Sequence, residues 1–154
     1  MTKERYVLGF MFDKHNNVLL VEKSKPKWQA GLLNGIGGKI EPHDRDDYHA
    51  MRREFLEETG HTTNTAEWIH IATMEGKDWE VEVFAYDHRL NNMDGWDGRP
   101  TDTTEVLRVV NLSEVFGNPK LISNLPWLIG MCLDPDMHSG HYYVSNKEPE
   151  WMTA

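Results

Sequence analysis

Short apolar runs alternate with turn-rich segments along most of this chain. Tyr6–Phe12 (YVLGFMF) is a continuous apolar run rich in β-formers, with Gly9 inside it. Asp13–Asn17 (DKHNN) is turn chemistry, and Val18–Glu22 resumes as a strand, so the two runs read as a hairpin. Leu32–Lys39 (LLNGIGGK) is apolar and broken by glycines. The period then changes: Tyr48, Met51 and Phe55 form the apolar stripe of a helix that Gly60 stops, with Asp44 or Asp46 as its cap. Trp68–Gly76 and Trp79–Tyr86 alternate apolar and polar residues and read as a second hairpin. In the latter run Trp79, Val81, Val83 and Ala85 share one face. Glu80, Glu82, Phe84 and Tyr86 share the other, and form either a pocket wall or an outer face. Leu90–Thr104 is a loop of turn formers long enough for a lid or specificity segment. Glu105–Val110 is a strand, and Pro126 marks the first turn of a helix over Trp127–Leu133.

Composition narrows the class. The 154 residues fit one domain, placed at 1–134, with a polar tail at 135–154 packed on it or extending from it. A net charge of −9 argues against an electrostatic nucleic-acid binder. The single cysteine, Cys132, excludes an internal disulfide and fits a reducing compartment. There is no signal-peptide apolar core and no run long enough to cross a membrane, so the expectation is a cytoplasmic protein. The tail carries His138 and His141 in HSGHYY, two imidazoles without further ligands in sequence.

The chemistry concentrates in Gly37–Gly60 (GGKIEPHDRDDYHAMRREFLEETG). At about 100° per residue, Asp47, Glu54, Glu57 and Glu58 share a helical arc of roughly 100°. Like charges at these spacings repel by a few tenths of a kcal/mol each. Hard divalent cations, which prefer carboxylate oxygens, turn that repulsion into binding. Arg53 reaches Glu57 at i+4. A bare ExxEE is more often a solvated charged face. The flanking glycines decide the matter, because the combination resembles the Nudix box of the Nudix hydrolase family, G-x5-E-x7-R-E-U-x-E-E-x-G-U with U a bulky aliphatic residue. Gly38, Arg53, Glu54, Phe55, Glu57, Glu58 and Gly60 match it. Three positions depart. Asp44 stands at the first acidic position, eight residues instead of seven separate it from Arg53, and His61 takes the closing apolar place. A one-residue insertion accounts for the spacing.

The resemblance implies an α/β fold, an α/β/α sandwich around a mixed sheet, with the box as loop-helix-loop. It implies metal-dependent hydrolysis of a nucleoside diphosphate linked to a further group, with Mg²⁺ or Mn²⁺ held by Glu54, Glu57, Glu58 and the Gly38 carbonyl. Arg53, Glu57, Glu58 and, near the metal cluster, Glu105 are the expected catalytic residues. The favoured substrate is a nucleoside triphosphate, for instance 8-oxo-dGTP, cleaved to monophosphate and pyrophosphate. Asn34 before the glycine turn is similar to a base-facing Asn of that group, and Lys39, Asn124 and Trp127 complete the expected substrate contacts. Alternatives are ADP-ribose, a dinucleotide, or a capped RNA end, the one nucleic-acid partner retained. Lys23, Lys25 and Lys27 around Trp28 suit phosphates beside a base, or a solvated loop. A homodimer stays open. A catalytically silent nucleotide-binding module is the alternative of another class, but such modules typically lose the glutamates kept here.

Overall fold

The computed structural model describes residues 3–145. In chain order the strands are β1 (Glu4–Phe10), β2 (Asn17–Glu22), β3 (Leu33–Asn34), β4 (Ile36–Lys39), β5 (Trp68–Glu75), β6 (Trp79–Tyr86), β7 (Val106–Asn111) and β8 (Tyr142–Ser145). Two helices, α1 (Asp47–Thr59) and α2 (Leu125–Leu133), lie between them. A mixed five-stranded sheet runs β4-β1-β6-β5-β8, and an antiparallel three-stranded sheet runs β3-β2-β7. The α/β/α arrangement is thus the one expected.

Two cores explain the layers. On one face of the larger sheet, Val7, Trp68 and Phe84 pack against Ala50, Met51 and Phe55 of α1. On the other, Leu8, Phe10, Ile71 and Val83 pack with Leu20 of β2 and Leu125, Leu128 and Ile129 of α2. Met51 and Phe55 of the expected stripe are fully inaccessible, while Tyr48, one turn nearer the N-terminus, stays 37% exposed with its ring edge-on to Phe84. Asp46 caps the helix by accepting the His49 N–H at 2.9 Å. Gly60 ends it in the left-handed region at φ 76°.

The first expected hairpin forms only around its turn, where the Asp13 N–H bonds the Asn17 carbonyl and the Leu19 N–H the Met11 carbonyl, each at 3.0 Å. β1 and β2 meet only at their adjoining ends, Phe12 against Val18, and then part into different sheets. The cause is visible in burial: residues 7–10 and 18–21 are buried without alternation. Each run needs cover on both faces, which a two-stranded ribbon cannot supply. The second hairpin is present as β5–β6, with a β-bulge between His70 and Ala72. The segment 90–104 is tied down and is not a free lid. Met93 is fully buried, the Asp13 carboxylate accepts its N–H at 3.1 Å, and Gly98 to Thr101 bond back onto residues 105–107. Helix α2 begins at Leu125, with Pro126 in its first turn. Beyond 134 the chain returns to the sheet, where β8 pairs in parallel with β5. Residues 146–154 of the expected tail lie outside the described residues.

Candidate active site

Strand β4 delivers the glycines, and the C-terminal half of α1 lies against them. Register places Gly38 opposite Val7 and Gly37 opposite Leu8. A Cβ on Gly38 would sit 2.5 Å from the Glu54 carboxyl carbon and Oε1, so only glycine lets the helix carboxylate approach this backbone. The Gly37 backbone lies beside the Glu58 carboxylate and favours its charged form.

Arg53 organises the box. Its Nε and Nη2 each donate to the Asp44 carboxylate at 2.8 Å. Nη1 reaches Glu54 at 2.9 Å and Glu57 at 3.3 Å, and Nη2 also binds the Lys39 carbonyl at 3.0 Å. Asp44 therefore fills the place of the first box acid despite the inserted residue. Its side chain is 3% exposed, and Arg53 holds its carboxyl below the usual range. The pair ties loop to helix and leaves Asp44 facing the guanidinium.

The carboxylates differ sharply in environment. Glu57 is exposed, beside Arg53. Burial raises the Glu54 carboxyl, with Arg53 opposing. Burial pushes Glu58 up to about 8, opposed by Lys23 and reinforced by Glu54 and Glu105. Glu105 stands directly before β7 of the small sheet. The β2–β7 register ends with Glu22 opposite Val106, so the next pair outward is Lys23 and Glu105. The Lys23 ammonium indeed lies 3.2 Å from the Glu105 carboxylate, hydrogen-bonded to Oε1. Among the described residues, three buried side-chain oxygens lack a hydrogen-bond partner: Glu58 Oε2, Glu105 Oε2 and Asn124 Oδ1. Glu105 Oε2 still has the Lys23 ammonium 3.2 Å away, which leaves Glu58 Oε2 and Asn124 Oδ1 as the acceptors where a cation or donor group belongs. Glu54, Glu58 and the Gly38 backbone carbonyl offer hard oxygen donors of the chemical type that suits Mg²⁺ or Mn²⁺.

A cleft of about 600 Å³ adjoins Gly37 and Gly38. Asn34, Gly35, Lys23, Pro26 and Trp28 line one part of it, and Met74, Trp79, Val81, Ile122 and Asn124 line another. Asn34 and Asn124, far apart in sequence, are thus brought to one cavity. The Asn34 amide also serves its own turn, accepting the Gly35 N–H at 2.8 Å and reaching Gln29 at 3.3 Å. Asn124 precedes α2 without capping it, its Nδ2 resting 3.9 Å from Met74 sulfur. The other two expected substrate contacts stand apart. Lys39 pairs with Glu4 at 2.9 Å on the surface, and Trp127 is 42% exposed and does not line the cleft. The lysines after β2 divide: Lys23 lines the cleft with Trp28, while Lys25 and Lys27 are solvent-exposed. From β6 it is the apolar face, Trp79 and Val81, that faces this cleft. Glu80 and Glu82 sit across the sheet, bound to Arg5. A more open cavity of about 530 Å³ runs past His49, Arg52 and Glu67 and contains none of the box carboxylates.

A mixed sheet between helices, with a loop-helix-loop of carboxylates facing the glycines of a strand, defines a Nudix-type hydrolase. The NUDIX domain family model matches residues 2–128, and the chain belongs to that family, as a pyrophosphohydrolase. Nudix hydrolases generally require divalent metal ions. Among solved structures it is similar to a MutT from work on Aliivibrio salmonicida and Vibrio cholerae. Identity there is 18% and TM-score 0.64, over 85% of this chain and 98% of that one. A MutT from Bacillus halodurans matches at 20% identity and TM-score 0.64, over 92% and 88%. The NUDIX domain of Shewanella oneidensis NrtR, solved with ADP-ribose, matches at 16% identity and TM-score 0.69, over 87% and 90%. No curated protein sequence matches significantly. No helix among the described residues is long and apolar enough to cross a membrane.

Proposed function

We propose that the chain cleaves a nucleoside triphosphate, with an oxidised purine such as 8-oxo-dGTP as the favoured base, to the monophosphate and pyrophosphate. The observation that carries this reading is the buried, unpartnered Asn124 Oδ1 in the same cleft as Asn34. An amide presents a donor and an acceptor side by side, which suits the edge of a purine. An unsatisfied buried amide oxygen gains a net hydrogen bond when such a base enters. Trp28 and Trp79 offer ring faces in that cleft, and Lys23 offers positive charge at its carboxylate end.

Glu54, Glu57, Glu58 and the Gly38 carbonyl would hold Mg²⁺ or Mn²⁺. When bound, such an ion neutralises diphosphate charge and lowers the pKa of a water. Arg53 keeps Glu54 and Glu57 in position through the contacts described above. A water oxygen attacks phosphorus, one of Glu57, Glu58 or Glu105 takes its proton, and pyrophosphate leaves with the electrons of the broken P–O bond. The single buried cysteine supports a reducing, cytoplasmic setting. ADP-ribose is the second reading, favoured by the fold likeness to the NrtR domain solved with that ligand. The test is a product-resolved panel of dNTPs, 8-oxo-dGTP, ADP-ribose, NADH and capped RNA with either metal. Triphosphate turnover that falls in Asn124→Ala and vanishes in Glu57→Gln supports the proposal. Turnover of ADP-ribose or dinucleotides alone keeps the chemistry and removes the role given to the two asparagines.

A further inference from the structure

The face of the large sheet that carries α1 holds a second cluster, which shares no residue with the box. His70 on β5, Glu82 on β6 and His141 just before β8 each offer one ligand atom, and these atoms all lie within 4.8 Å of one another. His70 Nε2 is 2.6 Å from Glu82 Oε2. Thr73 Oγ1 donates to the same oxygen at 2.7 Å and stands 2.9 Å from His141 Nε2. Arg5 bonds the other oxygen, Glu82 Oε1, at 3.3 Å, so one carboxylate oxygen is neutralised and the other is turned toward the imidazoles.

Local backbone geometry makes this convergence. Residues three apart on a regular strand point to opposite faces. The bulge between His70 and Ala72 inserts one position, so Ile71 and Ala72 both enter the α2-side core. His70 and Thr73 are thereby placed on the same face, where both reach Glu82. Bulges commonly re-aim a side chain toward a site. Charge also favours a cation. Arg5 is shared by Asp47 at 2.8 Å, Glu80 at 2.8 Å and Glu82 at 3.3 Å, so three carboxylates surround one guanidinium. Glu82 is nearly fully buried, with only 4% of its side chain exposed. A buried carboxylate facing two imidazoles is a donor set for a borderline transition ion, unlike the oxygen-only set of the box.

We propose that His70, Glu82 and His141 form a second metal site, of the two-imidazole, one-carboxylate type that takes Zn²⁺, with Thr73 or water at the fourth position. Parallel pairing of β8 begins at Tyr142, directly after His141. A metal here fastens the C-terminal segment to the β5–β6 hairpin. It is separate from the hydrolytic metal and independent of the substrate assignment.

The test uses the full chain with millimolar Mg²⁺ present to occupy the box carboxylates. Co²⁺ is titrated by visible absorption, and Zn²⁺ by calorimetry and thermal unfolding. The expected result is one equivalent with the strong absorption bands of four-coordinate Co²⁺, and a Zn²⁺-dependent rise in Tm. Loss of an outer-sphere partner lowers metal affinity by about 10–100-fold, so loss of a ligand in His141→Ala should lower it by at least that much. His141 is solvent-exposed, so that variant tests binding without risking the core. His70→Gln should show the same loss, and Glu58→Gln should leave Zn²⁺ affinity unchanged. Absence of four-coordinate Co²⁺ bands, or Zn²⁺ binding that survives His141→Ala and disappears in Glu58→Gln, overturns the proposal and leaves the cluster a hydrogen-bond network.

Discussion

Glu58 is the carboxylate whose environment has the largest thermodynamic consequence. Burial, opposed by Lys23 and assisted by Glu54 and Glu105, moves its pKa from 4.5 to about 8 in the metal-free protein. The folded state then binds a proton that the unfolded state releases between those two values. Stability must fall as pH rises through that window, being greatest below the unfolded pKa. Integration gives a cost of about 3 kcal/mol at pH 7 and under about 1 kcal/mol at pH 5. Glu58→Gln keeps the shape and removes the titration. The variant should therefore be more stable than wild type without metal, by an increment growing about 1.4 kcal/mol per pH unit from pH 5.5 to 7. Urea denaturation in chelator at pH 5, 6 and 7 measures the difference, which cancels the titrating groups that Glu58 does not touch and keeps its coupling to Lys23, Glu54 and Glu105. A pH-independent difference, or a less stable variant at pH 7, would refute the reasoning. Adding Mg²⁺ or Mn²⁺ should reverse the order, because a cation binds the ionised wild-type carboxylate and stabilises the folded state by mass action. In Glu58→Gln that gain should shrink while turnover is lost.

The remaining predictions concern how the site is held. Gly38→Ala places a methyl 2.5 Å from the Glu54 carboxyl group, the far end of a flexible side chain, so it should displace that carboxylate with little loss of stability and a fall in turnover, read by denaturation and product release. Arg53→Lys loses the two-pronged grip on Asp44, and should cost about 1.5–3 kcal/mol. Combining it with Asp44→Asn should cost less than the two single changes together, which a double-mutant cycle measures. Asp13→Ala leaves the N–H groups of His15, Asn17 and Met93 without their acceptor. It should destabilise the fold by about 3 kcal/mol and raise hydrogen exchange at Met93.

What could be seen in sequence was what depends on near neighbours. The α1 stripe, the Asp46 cap and the Gly60 stop all act within a few residues, so helical period and turn chemistry were enough. The Asp44 substitution, with its extra residue, is absorbed because a loop can lengthen while its acid still meets Arg53. The β1–β2 pairing was misread because a turn between two strands is local, while the choice of sheet is made by burial on both faces. The cleft drew Asn34 and Asn124 together across 90 positions, yet Lys39 and Trp127, chosen by proximity to motifs, point elsewhere. Lys23 became central only through a register that sequence does not print. His70 carried no signal, and Glu82 only its place on one face of β6: their meeting with His141 needs three strands and a bulge.

The two clusters call for different ions by the atoms they offer, but donor type alone does not keep them apart. Zn²⁺ binds more tightly than Mg²⁺ or Mn²⁺ to nearly any oxygen or nitrogen site, so the box carboxylates would also accept it. Separation comes from the other direction. Mg²⁺ demands oxygen ligands and sheds water reluctantly, so it has no purchase on two imidazoles. Abundant Mg²⁺ can therefore fill Glu54, Glu57 and Glu58 while leaving His70, Glu82 and His141 for a scarcer, softer ion. The bulge in β5 and the glycines of β4 act differently: the bulge re-aims His70 toward Glu82, whereas Gly38 keeps its place in the β1 ladder and, by lacking a side chain, leaves room for the Glu54 carboxylate.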